Sequence, residues 1–416
     1  MSSAPDETVA AVVDADVLVL GASFAGVEVV YQLHRRSPAR PPTVIVVDRD
    51  RTHGYLPLVQ ERLLGTIPPE TTALRTADYV ESLPGARFVQ GDVVSIDPRA
   101  RTAVLGDGTR LRARILVIAL GSVLEAPPTI VGGERLLAHK SPAQFEALRA
   151  ALGRALGEGQ PAPRIVVVGG GISGVELAGE LAALCGRGQR PWPVAPAVTL
   201  VGGQPQLVPI LGANVGARAK RLLEGQGVDV RVATRLVEVG DGWVDVGAAD
   251  ARTRIHCALA VWVGGIAPAP MLAALAVDHT SDGWIAVGPT LQCFPACPEQ
   301  QGVFACGDAV RVIGGEGRWP TMQRAIECLW QAKVVATNIL TLLGTALGDE
   351  APPLVPHALR RRFAYGVSLG ARSLVVWGPL CMGMPWINHG FRRWLMRQYF
   401  ARYRPLPSAH AEAHPR

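Results

Sequence analysis

Two glycine-rich segments have the residue types and spacing to hold the pyrophosphate group of a dinucleotide. Residues 17–26 read VLVLGASFAG, and residues 165–174 read IVVVGGGISG. In each segment an apolar, β-branched run predicts a buried strand, which leads through a glycine turn into a helical pattern. The first glycine permits a tight turn, the second lets the backbone approach a pyrophosphate, and the third lets the helix pack on the strand. Two such sites predict two dinucleotides, and a flavin with a nicotinamide nucleotide is the natural pair for electron transfer.

Further residues extend the first of these sites. Residues 43–47 predict a second strand, and Asp48 at its end is placed to bind the hydroxyls of an adenosine ribose. Another buried strand is predicted to end near Gly121, a small residue that lets the backbone lie close to a cofactor. Asp308 follows a third buried run and offers a carboxylate to a ribityl hydroxyl, with a helix N-cap as the competing interpretation.

The second segment lacks the acidic residue that follows the first one. After the predicted strand at 198–201 the chain continues Gly202, Gly203, Gln204, where an acid would normally bind the ribose. The missing carboxylate removes a repulsion against a 2′-phosphate, yet no arginine follows immediately to bind one. The sequence therefore leaves the choice between NADH and NADPH open.

Composition indicates a globular protein in a reducing compartment. The chain has 416 residues, of which 49% are hydrophobic and 18% charged, enough to bury several domain cores and too few charges for wholesale disorder. Its seven cysteines form no CxxC motif, and residues 1–16 lack a signal-peptide pattern. We therefore expect a cytoplasmic protein with buried or idle thiols and no metal site.

The C-terminal part of the chain is strongly basic. Residues 351–411 contain nine arginines and no Asp or Glu, so the rest of a chain with net charge +6 carries −3. Residues 391–403 mix cations with aromatic and aliphatic side chains, without an acid to attract them inward, a pattern typical of interfacial membrane helices. Glycines and prolines interrupt the uncharged run at 373–391, so a spanning helix is not expected. A homodimer interface or a solvated arginine face is the competing interpretation, and no recognition module indicates nucleic-acid binding.

The whole pattern predicts an α/β fold with two Rossmann-like, three-layer ββα/βαβ dinucleotide-binding domains and a basic C-terminal region. We expect a split FAD-binding domain at 12–125 and 286–345, with an NAD(P)H-binding domain at 126–285 inserted between its halves. The C-terminal region covers residues 350–405. Pro320 precedes a predicted helix that runs to Leu343, and this helix is expected to point its first N–H groups at the electron-rich edge of the flavin ring.

The order of motifs along most of the chain resembles that of one family. The motifs are GASFAG, HGYLPLVQERLLGTIPPE at 53–70, IALGS, GGGISGVELAGEL, WVGGIAP at 262–268, FACGDA and PTMQRAIE. The second combined with the last resembles the type II, non-proton-pumping NADH:quinone oxidoreductases, members of the two-dinucleotide-binding-domain flavoprotein (pyridine nucleotide-disulfide oxidoreductase) superfamily. The resemblance implies one non-covalent FAD, hydride transfer from NADH or NADPH to flavin N5, and two-electron reduction of a membrane quinone. It also implies that the basic aromatic tail holds the protein on the inner face of the cytoplasmic membrane.

The resemblance assigns candidate roles to individual residues. Positions that match FAD-binding residues are Gly21, Ser23, Gly26, Asp48, Gly121 and Asp308, with Ser23 in place of the usual middle glycine. Positions that match the nicotinamide side are Gly169, Gly171, Gly174 and Glu176, the last near the nicotinamide ring and the quinone path. Gln323 and Glu327 match the quinone motif, in which Met322 replaces an alanine and Glu327 a glutamine. Glu176 and Glu327 are thus candidate proton carriers to the reduced quinone.

Two other functions fit parts of the same pattern. A soluble NAD(P)H-dependent flavoprotein reductase or oxidase would pass electrons to a quinone-like metabolite or an electron-transfer protein, and would have no affinity for lipid. A flavin-binding redox sensor with little turnover is favoured by the altered segment Gly202-Gly203-Gln204, which could weaken nicotinamide binding. A sulfide:quinone oxidoreductase is disfavoured, because it needs paired cysteines beside the flavin and Cys328 does not supply a pair.

Overall fold

The computed structural model describes residues 12–157, 162–184, 192–248, 251–293, 301–313, 323–344, 353–360, 364–378, 380–384 and 387–407. The α-helices in these ranges are α1 (Phe24–Arg36), α2 (Val59–Leu63), α3 (Thr76–Glu81), α4 (Pro142–Ala155), α5 (Ile172–Ala183), α6 (Ala213–Glu224), α7 (Ala325–Gly344) and α8 (Ile387–Arg402).

The strands are, in chain order, β1 (Val12–Leu20), β2 (Val44–Asp48), β3 (His53–Gly54), β4 (Ala73–Leu74), β5 (Ala86–Gln90), β6 (Val93–Asp97), β7 (Thr102–Leu105), β8 (Arg110–Ile118), β9 (Ser122–Val123), β10 (Arg164–Val168), β11 (Ala197–Val201), β12 (Asp229–Arg231), β13 (Arg235–Gly240), β14 (Trp243–Ala248), β15 (Ala251–His256), β16 (Leu259–Trp262), β17 (Ala267–Pro268), β18 (Ile285–Val287), β19 (Val303–Ala305), β20 (Val310–Val312), β21 (Ala364–Leu369), β22 (Arg372–Trp377) and β23 (Leu380–Met384).

The first sheet has β1 near its centre. Its strands run in the order β5, β2, β1, β8, β7, β6, and β19 pairs with the end of β8. The pairs of β1 with β2 and β8, of β2 with β5, and of β8 with β19 are all parallel. Val17 to Leu20 are fully buried, as expected for a parallel strand that is covered on both faces. Because β19 pairs with β8, strands from both predicted halves of the FAD-binding domain share this sheet.

The second sheet repeats this arrangement on a smaller scale. Its four parallel strands run in the order β12, β11, β10, β16, and the antiparallel strands β13, β14 and β15 form a separate small sheet. Ile165, Val166 and Val167 are fully buried in β10. The predicted α/β class with two Rossmann-like cores is confirmed; the domain limits given above stay a proposal.

We name the first sheet with its helices the first unit, and the second sheet with its helices the second unit. The C-terminal region packs against both units. The antiparallel sheet of β21, β22 and β23 lies on α5 so closely that a Cβ on Gly179 would come within 2.6 Å of the Leu369 carbonyl carbon. Met396 and Tyr399 of α8, together with Tyr403 directly after the helix, are buried in the core around the first sheet. These residues recur at helical spacing, so one face of α8 is a core face.

Acids from distant elements attract part of the basic tail inward. Arg402 Nη1 lies 3.1 Å from both carboxylate oxygens of Glu28 on α1, and the Tyr403 hydroxyl donates to the same carboxylate. The expectation that nothing draws these cations inward is therefore wrong. The tail has no acid of its own, but the fold brings buried glutamates to it.

Among the described residues, only α7 is long and apolar enough to cross a membrane, by length and composition alone. One such helix is weak evidence, because the core helix of a globular protein passes the same test. Val335, Ala336 and Ile339 of α7 are fully buried in the core of the first sheet. The helix begins at Ala325, and Pro320, which was predicted to precede it, lies outside the described residues.

Candidate functional site

The first glycine turn brings the end of β1 directly onto α1. Gly21 adopts φ +98°, and a Cβ there would lie 2.3 Å from the carbonyl oxygen of Ala119. A Cβ on Gly26 would lie 1.8 Å from the carbonyl oxygen of Gly21. Ser23 is the N-cap of α1 but forms no side-chain capping bond. The first N–H groups of this helix are thus free of a side-chain cap, which suits an incoming pyrophosphate.

Asp48 stands beside this turn at the end of β2. Its Oδ2 accepts the N–H of Ala22 at 2.7 Å, and its Oδ1 accepts the N–H of Asp50 at 3.1 Å. Burial raises the pKa of this carboxyl above its usual value, against the effect of the two N–H donors. The carboxylate is held in place by backbone and keeps further lone pairs for ribose hydroxyls.

Asp308 is the centre of a second polar group, next to the end of β19. Its Oδ2 lies 2.9 Å from Lys140 Nζ and 3.2 Å from Ser122 Oγ, and Lys140 also donates to Ser122. Gln323 Nε2 donates to the Asp308 carbonyl at 2.9 Å. Gly121 precedes Ser122, and a Cβ there would meet nothing within 4 Å. Side chains of these types form hydrogen bonds with polar chains such as the ribityl part of a flavin.

The second glycine turn repeats the geometry of the first one. Gly169 N–H donates to Val201 at 2.8 Å, just as Gly21 N–H donates to Val47 at 2.8 Å. A Cβ on Gly174 would lie 1.8 Å from the Gly169 carbonyl oxygen.

The start of α5 leaves room for a ligand. A Cβ on Gly171 would meet nothing within 4 Å, and this residue caps α5 without a side-chain bond. By contrast, α4 begins with a complete capping box formed by Ser141 and Gln144. The open start of α5 therefore suits a second pyrophosphate.

Glu176 on α5 lies in a buried group of charges that we name the Glu176 cluster, made of Glu61, Glu176, Glu180 and Arg392. Arg392 Nη2 lies 3.3 Å from Glu176 Oε1, and Arg392 Nη1 lies 3.0 Å from Glu61 Oε1. Arg392 also donates to the carbonyl of Pro57. Its guanidinium therefore joins the loop around α2, the helix α5 and the C-terminal helix α8.

Burial dominates the electrostatics of this cluster. It raises the pKa of Glu176 to about 7, although Arg392 and the N–H of Ser368, which donates to Glu176 Oε1 at 3.0 Å, favour the ionised form. Burial also raises the pKa of Glu61, again against the effect of Arg392. A carboxyl group with a pKa near neutrality can release and take up a proton under ordinary conditions.

Glu61, Glu180 and His389 bring three possible metal-ligand atoms within 4.8 Å of one another. The Arg392 guanidinium already supplies positive charge at 3.0 Å from Glu61. A second cation would be repelled there, so we assign no metal to this group.

The structure separates the residues of the predicted quinone motif. Gln323 contacts Asp308, whereas Glu327 belongs to another buried pair: its Oε1 lies 2.5 Å from His357 Nε2 and 3.4 Å from Gln331 Nε2. Glu327 thus lies outside the Glu176 cluster. Its neighbour Cys328 has Sγ 3.6 Å from Asp308 Oδ1, and burial raises the pKa of this thiol well above its usual value.

Three of the residues that build these groups were missed at the level of sequence. Lys140 lay outside all of the motifs, and Glu61 lay inside the motif at 53–70 without an assigned role. Arg392 was counted with the basic tail and expected to face a membrane. A single lysine or arginine gives no local signal for such a pairing, and only the IALGS motif, which contains Ser122, marked the neighbourhood of Lys140.

Comparison with known proteins fits this geometry. Residues 15–332 match the family model described as pyridine nucleotide-disulphide oxidoreductase. The chain is 26% identical over 326 residues to the type II NADH:quinone oxidoreductase NdhA of Mycobacterium tuberculosis, covering 72% of this chain and 67% of that protein. It is 28% identical over 385 residues to the nitric oxide reductase FlRd-NAD(+) reductase of Aeromonas hydrophila, covering 90% and 88%.

The structure of NDH2 from Plasmodium falciparum in complex with NADH has the same fold, with a TM-score of 0.78, 12% identity, and coverage of 94% of this chain and 96% of that one. The two glycine turns, with Asp48 beside the first of them, are typical of a fold that binds two nucleotides. The chain is therefore an oxidoreductase that uses FAD and a nicotinamide nucleotide, and it belongs to the pyridine nucleotide-disulphide oxidoreductase family.

Proposed function

We propose that this protein is an NAD(P)H:quinone oxidoreductase that works at a membrane surface without pumping protons. The observation that carries the proposal is the Glu176 cluster. There α8 inserts Arg392 between Glu61 on α2 and Glu176 on α5. A proton-exchanging group at this junction is what reduction of a quinone to a hydroquinone requires, since that reaction takes up protons as well as electrons. The type II relative in Mycobacterium tuberculosis supports the same acceptor.

The first unit would hold FAD. Gly21, Ser23 and Gly26 would place the start of α1 against the pyrophosphate, and Asp48 would bind the ribose. Asp308 and Gly121 would line the ribityl chain, and Lys140, which the sequence did not reveal, would balance the charge of Asp308. When bound, FAD supplies the capacity to accept a hydride from the nicotinamide and to pass two electrons on.

The second unit would hold the nicotinamide nucleotide, with Gly169, Gly171 and Gly174 against its pyrophosphate. Glu176 follows Gly174 by two residues and faces the junction with α8. With a pKa raised to about 7, its carboxyl would carry a proton toward the acceptor and regain one from the cluster. Gln323 would position Asp308 through its hydrogen bond to the Asp308 carbonyl. We assign no proton transfer to Glu327, because His357 and Gln331 engage its carboxylate.

A membrane contact is supported by exposed hydrophobic side chains in the C-terminal region. They lie on β22, β23 and α8: Trp377, Leu380, Met382, Phe391 and Trp394. Phe391 and Trp394 stack with their ring centroids 5.7 Å apart, and Arg397 is exposed on the same helix. Exposed aromatic side chains beside arginines suit the anionic surface of a bilayer. We therefore propose a peripheral protein on the inner face of the cytoplasmic membrane.

The decisive experiment follows oxidation of NADH and of NADPH by the FAD-loaded protein, with a short-chain quinone measured directly. Stoichiometric quinone reduction supports the proposal, and flavin reduction without quinone reduction contradicts it. Glu176→Gln should slow the quinone step by about tenfold or more. Glu224→Gln, an exposed glutamate on α6, is the matched control and should leave the rate unchanged.

Flotation with anionic vesicles tests the membrane part. The double variant Trp377→Ser with Trp394→Ser should lose vesicle binding. Ile210→Ser is the control, because Ile210 is also an exposed apolar residue but lies in the second unit. If wild type, the double variant and Ile210→Ser bound vesicles equally, the proposed membrane contact through Trp377 and Trp394 would be contradicted.

A soluble reductase that serves an electron-transfer protein is the second candidate. It is favoured by the similarity to the Aeromonas hydrophila reductase, which extends over 90% of this chain. It predicts rapid flavin reduction, poor quinone reduction and no binding to vesicles, so the two experiments above separate it from the first proposal.

A further inference from the structure

We infer that the second nucleotide unit selects the 2′-phosphate of NADPH over the free 2′-hydroxyl of NADH, and that Arg235 is the residue that binds this phosphate. The inference rests on the proposed function, because it names the nucleotide that would supply the hydride. It concerns the adenosine end of the nucleotide and is independent of the electron acceptor.

The first step is the equivalence of two positions. In both units the first glycine of the turn donates its N–H to a strand carbonyl at 2.8 Å, and the residue after that carbonyl is Asp48 in one unit and Gly202 in the other. A Cβ on Gly202 would lie 3.6 Å from the nitrogen of Gly170. Gly202 thus occupies the position at which a ribose-binding acidic residue would stand, and it has no carboxylate.

The second step is that the next strand is tied to this position. Thr234 N–H donates to the Gly202 carbonyl at 3.0 Å, and Ala233 N–H donates to the Gln204 carbonyl at 2.8 Å. These two hydrogen bonds hold the start of β13 against the loop that follows β11. A side chain at the start of β13 is therefore fixed beside the strand end where the ribose of the nucleotide would lie.

That side chain is Arg235. It is exposed, and its Cγ lies 3.5 Å from the position of a Cβ on Gly203. Arg231 on the neighbouring strand is engaged by Asp229, with Nε and Oδ2 3.0 Å apart. Within the described part of the chain, no ion pair engages Arg235.

The chemistry of these groups favours a phosphate. A guanidinium stays charged at all ordinary pH values and binds phosphate oxygens through two parallel N–H groups. A carboxylate at Gly202 would repel a 2′-phosphate, and none is present there. The sequence alone showed only the missing acid, because Arg235 lies more than thirty residues further along the chain.

The test measures binding of two probes, 2′,5′-ADP and 5′-AMP, by calorimetry on the full-length protein. Wild type should bind 2′,5′-ADP at least about tenfold more tightly, the gain expected of one charge-assisted contact. Arg235→Gln should remove about that factor for 2′,5′-ADP and leave 5′-AMP unchanged. Arg252→Gln is the matched control: it removes the same charge from β15 of the small sheet to which β13 belongs, where Arg252 pairs with Glu238 at 3.5 Å, and it should behave as wild type.

Gly202→Asp tests the same site by adding a carboxylate that should repel the 2′-phosphate. A Cβ at Gly202 would meet Gly170 Cα at 3.4 Å, which the fold can accommodate. This variant should lose at least about tenfold in affinity for 2′,5′-ADP and retain its affinity for 5′-AMP.

The inference is overturned if wild type binds both probes equally, prefers 5′-AMP or binds neither probe. It is also overturned if Arg235→Gln and Arg252→Gln behave alike. Calorimetry with these probes requires no quinone. A protein that prefers 2′,5′-ADP but reduces no quinone would therefore refute the proposed acceptor and leave this inference standing.

Discussion

The two glycine turns of this molecule have the same backbone arrangement but differ in the charged side chains around them. Each third glycine is followed by Val-Glu, so that Glu28 on α1 and Glu176 on α5 occupy equivalent positions, and both are buried. The single helix α8 supplies an arginine to each of them, Arg402 to Glu28 and Arg392 to Glu176. Ten residues separate these arginines, about 15 Å along a helix, so α8 connects the two units.

The neighbours of the two glutamates differ in number and kind. Glu28 accepts bonds from Arg402, from the hydroxyl of Tyr403 and from Gln32 Nε2 at 2.7 Å. Glu176 shares its arginine with Glu61, another buried carboxyl, and its pKa is raised to about 7. The repeated fold thus places a glutamate at the same position twice. Glu28 holds the end of α8 through its hydrogen bonds, whereas the surroundings of Glu176 raise its pKa to a value at which it can exchange a proton.

Gly26→Ala and Gly174→Ala should break the two units separately, with the largest effects that we expect. In either variant the new methyl group would lie 1.8 Å from a carbonyl oxygen of the turn, so that the helix can no longer pack on its strand. Gly26→Ala should abolish measurable flavin binding. Gly174→Ala should retain flavin and lose nicotinamide nucleotide binding, as measured by flavin absorbance and by nucleotide titration.

A matched control for both variants is Gly171→Ala, where the added Cβ meets no protein atom within 4 Å. It should fold as wild type does and weaken only the binding of the nucleotide. Loss of flavin in Gly174→Ala would contradict this prediction, because it would show that the two units do not bind their nucleotides independently.

Removal of the two arginines of α8 should destabilise the protein to different extents. Arg392→Met leaves Glu61 and Glu176 buried without their cation and should cost about 3–5 kcal/mol of the free energy of unfolding. Arg402→Met should cost only about 1 kcal/mol, because Arg402 is partly exposed and Glu28 keeps two other donors. Urea denaturation of the two variants measures both values, with Arg397→Met, an exposed position on α8, as the control. Equal losses for Arg392 and Arg402 would contradict the distinction between the two glutamates.

Features that depend on residues close together along the chain could be predicted from the sequence. Continuous buried runs such as those of β1 and β10 identify parallel strands, and a glycine turn between a strand and a helix needs no distant partner to be recognised. The position of Asp48 beside the turn could be predicted for the same reason, since its distance along the chain from the turn is characteristic, while its role in binding a ribose stays a prediction. The alternative interpretation of Asp308 as a helix N-cap is not what its contacts with Lys140 and Ser122 indicate.

Pairings between distant residues could not be predicted in this way. Lys140 and Asp308 are 168 positions apart, and Arg402 and Glu28 are 374 positions apart. Charge counting placed all nine arginines of the tail in one class, although Arg392 is buried and Arg397 is exposed on the same helix. Only the folded arrangement distinguishes a cation that neutralises a buried acid from one that faces solvent or lipid.

We also expect a pH dependence of stability that belongs to Glu176. The pKa of Glu176 is raised from its ordinary value of 4.5 to about 7, with burial as the main cause, while Glu61, Glu180 and Arg392 act on it through charge. The unfolded chain therefore loses this proton at a lower pH than the folded protein does. The free energy of unfolding should fall between about pH 4.5 and pH 7 by up to about 3 kcal/mol, and should not change further above that range on account of Glu176.

Glu176→Gln should remove that decline, because a glutamine side chain does not titrate. Urea denaturation of wild type and variant at a series of pH values measures the difference between them, which should grow from pH 4.5 to pH 7. Glu28→Gln is the matched control, since it makes the same change at the equivalent position of α1. If the two variants reduced the pH dependence of the free energy of unfolding equally, this dependence would not belong to Glu176. The Glu176 cluster could then no longer be regarded as the proton-exchanging site of the protein.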